Sequence, residues 1–220
     1  MSEVSLRICS SVVLAIAAVT ATWLGSFPFY VFWVIAAGLI FLEWIKISAY
    51  RPNWLVAGAI YAVSFLAAMI LLRDGPLGRE AILWIFALVW ATDSAAYFGG
   101  RAIGGPKLWP KVSPGKTWSG AVVGTIFGVA AGLLLLTALR IALHPMHAVF
   151  GFLIVVAAQL GDLLESAIKR RFHVKDTSHL IPGHGGVMDR CDSLAAAAVI
   201  ALVLGGIRFM YTPAQGLLAW

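Results

Sequence analysis

Charge is scarce in this chain: 12% of its 220 residues are Asp, Glu, Lys or Arg, about half the share of an ordinary globular domain. Cysteine is scarcer. Cys9 opens an apolar stretch and Cys191 sits between Asp189 and Asp192, so there is no disulfide framework and no CxxC metal site, and both thiols are expected to stay reduced. No internal repeat, heptad or low-complexity tract is present; Ala195 to Ala198 is a small-residue stretch that lets helices approach closely. What is abundant is apolar surface, 61% of residues with a mean hydropathy of +0.91, which excludes a soluble domain. A transmembrane helix takes about 20 apolar residues, so seven would use roughly 140 positions and leave no room for a large extramembrane domain.

Apolar runs punctuated by Gly, Pro and charge predict seven spans, at 8–24, 27–47, 54–72, 80–99, 118–140, 147–168 and 192–211. The fold class expected is therefore an all-α integral membrane protein with a polar cleft facing the cytoplasm. It is one membrane domain, with N-terminal transmembrane helices over 1–79 and a catalytic region over 80–220 carrying loops 100–117 and 169–191. Arg7 followed by the small residues of 17–22 would also suit a signal peptide, but six further spans favour an uncleaved helix. The formal charge of +6 fits cationic loops meeting anionic lipid, with no call for nucleic acid. A cytoplasmic N-terminus puts Arg7, Lys46, Arg51, Arg101, Lys107, Lys111, Lys116, Lys169, Arg170, Arg171, Lys175 and Arg190 inside. Only Arg73, Arg79, Arg140 and Arg208 are then left outside, as the positive-inside rule requires.

Acids intrude where they are costly, at about 2.5–3.5 kcal/mol or more each in the hydrocarbon region unless a partner or cavity meets them. Asp93 lies near the inner end of the fourth span, Asp162 and Glu165 near that of the sixth, and Asp189 and Asp192 open the seventh. One shared cleft accounts for all of them. Asp162, Glu165, Ser166 and Lys169 fall at i, i+3, i+4 and i+7 on one helix face, and Asp189 and Asp192 at i, i+3 can point one way. Facing carboxylate pairs suit a hard cation, Mg²⁺ above all, shared with substrate phosphates. The competing reading is that the acids pair with Lys169, Arg170 and Arg190, or that Asp192 caps the last helix.

Two loops suit phosphate. GGRAIGGPKLWPKVSPGKTWSG combines glycines with Lys107, Lys111 and Lys116; Pro110 stands where a P-loop needs glycine, so that reading fails. KRRFHVKDTSHLIPGHGGVMDR alternates cations with histidines. His173 and His179 read as ordinary loop residues, whereas His184, flanked by glycines, would let a phosphate approach. A basic inner loop can equally be an orientation signal or a lipid-headgroup contact.

The segment SAIKRRFHVKDTSHLIPGHGGVMDRCDS resembles the hallmark of the phosphatidate cytidylyltransferases, or CDP-diacylglycerol synthases. The family pattern is matched at Ser166, Lys169, Arg170, Lys175, Asp176, His184, Gly185, Gly186, Asp189, Arg190 and Asp192. AQLGDLLES, DSAAYFGGRAIG and SPGKTWSG are also similar to family elements, so the resemblance spans roughly residues 90 to 205. It departs at Gly115 and Ser119, where the family commonly has lysine and an acid, at Cys191, and in having fewer N-terminal spans.

The resemblance implies transfer of a cytidylyl group from CTP to phosphatidate at the inner face of a bacterial cytoplasmic membrane, with Mg²⁺ as cofactor, a second cation left open, and a homodimer as the assembly. On this reading Asp162 and Asp189 are metal ligands, assisted by Asp192, while Lys169, Arg170, Lys175 and Arg190 clamp lipid headgroup and nucleotide. Ser113, Lys116 and Thr117 hold nucleotide phosphates, and Asp93 supports the cleft. The family positions Ser166, Asp176, His184, Gly185 and Gly186 complete the expected site. The alternatives are a CTP-dependent polyprenol or dolichol kinase of the same superfamily, a transporter-like protein, and an inactive lipid-binding paralogue. A CDP-alcohol phosphotransferase lacks support, because its D-G-x-x-A-R motif is absent.

Overall fold

The computed structural model describes residues 3–178, 180–181 and 185–220, with side chains from residue 9 onward. Seven long helices follow one another: α1 (Glu3–Leu24), α2 (Ser26–Ile47), α3 (Pro52–Arg73), α4 (Gly78–Ile103), α5 (Trp118–Ala138), α6 (Pro145–Arg171) and α7 (Met188–Arg208). A short α8 (Pro213–Leu218) follows them, and a hairpin of β1 (Lys107–Trp109) and β2 (Ser113–Thr117) stands between α4 and α5. The helices from α2 to α7 are each long and apolar enough to cross a membrane, and α1 contributes the shorter apolar stretch Cys9–Leu24. The protein is thus a helical integral membrane protein. A hairpin occupies part of loop 100–117.

Short connections reverse the chain at each step, so odd and even helices run oppositely. At one end Arg73 Nη2 donates to the Thr22 carbonyl (3.0 Å) and the Tyr30 hydroxyl to Asp74 (2.5 Å), joining the ends of α1 and α3 to the start of α2. At the other end gather the C-termini of α2, α4 and α6, the N-termini of α3, α5 and α7, the hairpin and the 172–187 connection. Lipid tails are as apolar as leucine, so close backbone packing has to hold such helices together. On α5 the buried glycines 120, 124, 128 and 132 form a stripe at i, i+4 spacing. A Cβ on Gly124 would meet Ala96 Cβ and the Thr92 carbonyl at 2.9 Å, so α4 and α5 touch along their backbones. The core beside them is aromatic and aliphatic, built on Phe29, Trp33, Phe65, Trp84, Phe86 and Ile154.

Helix ends differ from the sequence expectation where glycine was taken as a stop. α4 continues through Gly99 and Gly100 to Ile103, because Gly100 packs against Thr117 and Gly120 across the α4–α5 contact. α7 begins at Met188, so Asp189 stands in its first turn.

Candidate active site

Three helices deliver carboxylates to the end that carries the hairpin. Gly161 decides how closely two of them meet: a Cβ there would lie 2.5 Å from Ala196 Cβ and 2.9 Å from the Asp192 carbonyl, so α6 and α7 have their backbones in contact one residue before Asp162. As a result one oxygen each of Asp162, Glu165 and Asp192 lies within 4.8 Å of the others. Asp93, on α4, stands within electrostatic reach of Asp162, Lys116 and Arg190, and Asp192 in turn feels both Asp162 and Asp93.

Cations are interleaved with these acids. Thr117 caps α5, its hydroxyl accepting from the Gly120 amide at 3.1 Å, and this aims the preceding Lys116 inward, where its ammonium pairs with Asp162. Lys169 lies between two acids, 2.7 Å from Glu165 Oε2 and 2.8 Å from Asp189 Oδ1. Arg170 Nε donates to the Val112 carbonyl at 3.3 Å and ties the hairpin turn to the end of α6. Ser113 is half-buried on β2 and Ser166 half-buried on α6, while Lys175, Asp176 and Arg190 are exposed around the rim. His184 and His179 lie outside the described residues.

Asp189, expected as a metal ligand, has both of its oxygens engaged by protein donors. Its Oδ1 is held by Lys169, and its Oδ2 accepts from the Gly186 amide (2.7 Å), the Thr177 amide (3.0 Å) and the Thr177 hydroxyl (3.0 Å). Gly185 and Gly186 make room for this arrangement. Gly185 has φ +87°, a left-handed conformation that favours glycine, and a Cβ there would approach Asp189 Oδ2 at 2.6 Å. On Gly186 a Cβ would strike Glu43 as well. Gly185 thus packs against Asp189, and Gly186 against Thr177 and Glu43.

Two acids take parts that the expected site does not give them. Glu165 completes the three-carboxylate cluster; its place on the Asp162 face was legible from the i+3 spacing. Glu43, in the apolar α2, is buried at 4% exposure and accepts four hydrogen bonds from the segment around α7's start. A lone acid in an apolar span was the signal for it.

The donor set fits a hard divalent cation. Glu165 is 2% exposed and its Oε1 has no hydrogen-bond partner among the described residues, an expensive state for a carboxylate oxygen unless a positive charge meets it. Three carboxylate oxygens within reach of one another, with a fourth acid behind, match the all-oxygen preference of such ions. Beneath the hairpin an apolar groove of about 1000 Å³ runs between α5 and α6, lined among others by Trp109, Trp118, Val122, Ile126, Phe152 and Leu160. Gln159 lines the same groove, its amide donating to Thr125 Oγ1 at 2.9 Å, one helical turn from Asp162.

The protein is thus a membrane bundle in which carboxylates and lysines converge at one end, beside an apolar groove. The chain belongs to the cytidylyltransferase family, whose sequence model matches residues 51–207. It is 36% identical to the phosphatidate cytidylyltransferase of Brucella suis over 94% of this chain and 95% of that protein. It is also 36% identical to that of Rickettsia bellii over 94% and 92%. With the phosphatidate cytidylyltransferase of Haemophilus influenzae it shares 45% identity over 61% of this chain and 51% of that one.

Proposed function

We propose that this chain transfers the cytidylyl group of CTP to phosphatidate, forming CDP-diacylglycerol and pyrophosphate, at the cytoplasmic face of a bacterial inner membrane. The observation that carries the reading is the convergence of Asp162, Glu165 and Asp192 with Lys116 and Lys169 at one end of the apolar helices. The names of the full-length relatives supply the substrates. A phosphate oxygen of the lipid attacks the α-phosphorus of CTP. The bond from that phosphorus to the α,β-bridging oxygen breaks, and pyrophosphate leaves with the electron pair. The nucleophile is already anionic, so no general base is needed; the task is to hold two anions together and meet the charge on the leaving group.

Asp162 and Asp192, with Glu165, are the residues we assign to holding Mg²⁺, and Asp93 stands behind them. Such an ion supplies Lewis-acid charge to the phosphate oxygens. Asp189 serves as the buttress that keeps Lys169 on Glu165. Lys116, on the hairpin, offers its ammonium to the nucleotide phosphates, and Ser113 and Thr117 keep that hairpin in register. Arg170, Lys175 and Arg190 are exposed around the cleft and take the lipid and nucleotide phosphates, a task that His184 shares by its place in the family pattern. The acyl chains occupy the groove between α5 and α6, which keeps the headgroup beside Asp162 while the tails stay in an apolar medium. The concentration of cations at this end of the helices supports the cytoplasmic orientation.

Two labels of CTP separate this reaction from its nearest neighbour. Purified protein with Mg²⁺ and phosphatidate should move label into lipid from α-³²P-CTP and release the γ label as pyrophosphate. Lipid labelled from γ-³²P-CTP, with CDP released, would make the chain a lipid kinase instead.

A further inference from the structure

The family match begins at residue 51, and the carboxylate most thoroughly engaged with the hallmark segment lies before it. Glu43 sits near the end of α2, next to the buried Trp44 and one turn from the buried Ile40 and Ile47. Its Oε1 accepts from the Ser178 hydroxyl (2.6 Å) and the Val187 amide (2.9 Å), and its Oε2 from the Met188 amide (2.8 Å) and the Thr177 hydroxyl (3.1 Å). These four donors flank the 179–186 stretch, two on each side, so one side chain closes the base of that loop. Among the described residues no Lys or Arg pairs with Glu43. Its charge is met by hydrogen-bond donors alone, two of them amides at the start of α7, where the helix dipole favours an anion. α7 has no cap of its own, since Val187 occupies the N-cap position. Glu43 therefore caps α7 from another helix.

The contact continues towards the acidic cluster. Thr177 touches both acids: its amide donates to Asp189 Oδ2 at 3.0 Å, and its hydroxyl, with one hydrogen to give, lies between Glu43 Oε2 (3.1 Å) and Asp189 Oδ2 (3.0 Å). Asp189 holds Lys169 at 2.8 Å, and Lys169 holds Glu165 at 2.7 Å. Thus an unbroken polar chain runs from α2 through Thr177, Asp189 and Lys169 to Glu165, in a low-dielectric setting where such bonds reinforce one another.

We propose that Glu43 is a positioning residue for the reaction: it fixes both ends of the hallmark loop and the first turn of α7, and through Thr177, Asp189 and Lys169 it sets the carboxylate cluster. It touches neither the cluster nor the groove. The helices ahead of the matched region are then part of the working enzyme, and the tie crosses the sequence division at residue 79.

Glu43→Gln tests this, because the amide nitrogen cannot accept and leaves two of the four donors unmet whichever way it points. Hydrogen exchange of the full-length protein in detergent should show the Val187 and Met188 amides opening about tenfold faster. The Mg²⁺ concentration for half-maximal CDP-lipid synthesis should rise about fivefold, and kcat should fall about tenfold. Thr177→Val should reproduce the kinetic change and Thr177→Ser should recover most of it. Because the two residues act along one chain, Glu43→Gln combined with Thr177→Val should lose little more than the worse single variant. If Glu43→Gln cannot be purified folded, the Thr177 pair decides. Unchanged exchange at Val187 and Met188, a lower kcat with unaltered Mg²⁺ response, additive losses in the double variant, or a Thr177→Val variant equal to wild type would each overturn the proposal. The kinetic arm rests on the cytidylyl-transfer reading. Wild-type protein that makes no CDP-lipid fails that reading, and the exchange measurement then decides the Glu43 contact alone.

Discussion

At the scale of single residues, the acids around the carboxylate cluster divide by what already satisfies them. Asp189 has four donors and 3% side-chain exposure, and on the proposed reading it acts as a buttress. Asp162 and Asp192 are partly open, and Glu165 Oε1 has no hydrogen-bond partner among the described residues. Asp162→Asn and Asp192→Asn should each retain the wild-type melting temperature in detergent while lowering kcat by about 10²–10³-fold, the range seen when an electrostatic contact to the transition state is lost. Asp189→Asn should behave differently and lose stability too, by about 3–5 kcal/mol, since it strands the buried Lys169 between fewer charges. A melting temperature equal to wild type for Asp189→Asn would contradict its role as a buttress. Lys116→Met should raise KM for CTP about tenfold with a smaller effect on kcat, which a CTP titration reads directly.

The residues that meet were largely legible in the chain, because i, i+3 and i+4 spacing fixes a helix face and three acids beside apolar spans need a common partner. Which acid receives which lysine was not. Lys169 stands four residues from Glu165 and seven from Asp162, and only the tertiary approach of α7 brings Asp189 onto it. Glu43 escaped for a related reason: its partners lie more than 130 residues away, and nothing near it in sequence hints at them.

Among elements, glycine sets the distances. The stripe on α5 and Gly161 on α6 read in sequence as small residues in apolar helices, and the structure turns them into the two closest helix contacts around the site. Gly124→Val should force α4 and α5 apart at a cost of about 1–3 kcal/mol, visible as a lower melting temperature in detergent. The hairpin was not foreseen. Its strands are short, its register is irregular between Lys107 and Trp109, and its Gly, Pro and Lys content carries no alternation from which a strand could be read. Its shape nonetheless decides where Lys116 points and roofs the groove. Val156→Trp, which narrows that groove, should reduce activity on long-chain phosphatidate several-fold more than on a short-chain analogue; equal losses on both would remove the groove from lipid binding.

For the whole molecule, the succession of apolar helices, though not their ends, followed from hydropathy because lipid allows few other solutions for a backbone. The alternation of chain direction then sends the acids of the candidate site to the end where the cations are concentrated, and leaves Arg73, Arg79, Arg140 and Arg208 towards the other. Cysteine placed at Lys111 should therefore react with an impermeant maleimide in inside-out vesicles and be protected in right-side-out ones, with the reverse pattern at Arg140. The same pattern at both sites would refute the orientation. A bundle of this kind brings a water-soluble nucleotide and a membrane-bound lipid together without a soluble domain, because cleft and groove share α6.

The central claim is that carboxylates from α6 and α7 jointly serve one divalent cation on which the reaction depends. It is tested most directly by Mg²⁺ titration of CDP-lipid synthesis in chelator-stripped protein, wild type against Asp192→Asn. The account predicts no activity in stripped wild type, recovery on adding Mg²⁺, and a half-saturating concentration at least about tenfold higher in the variant. Synthesis that persists after stripping, or an Asp192→Asn titration that overlays the wild type, would contradict it.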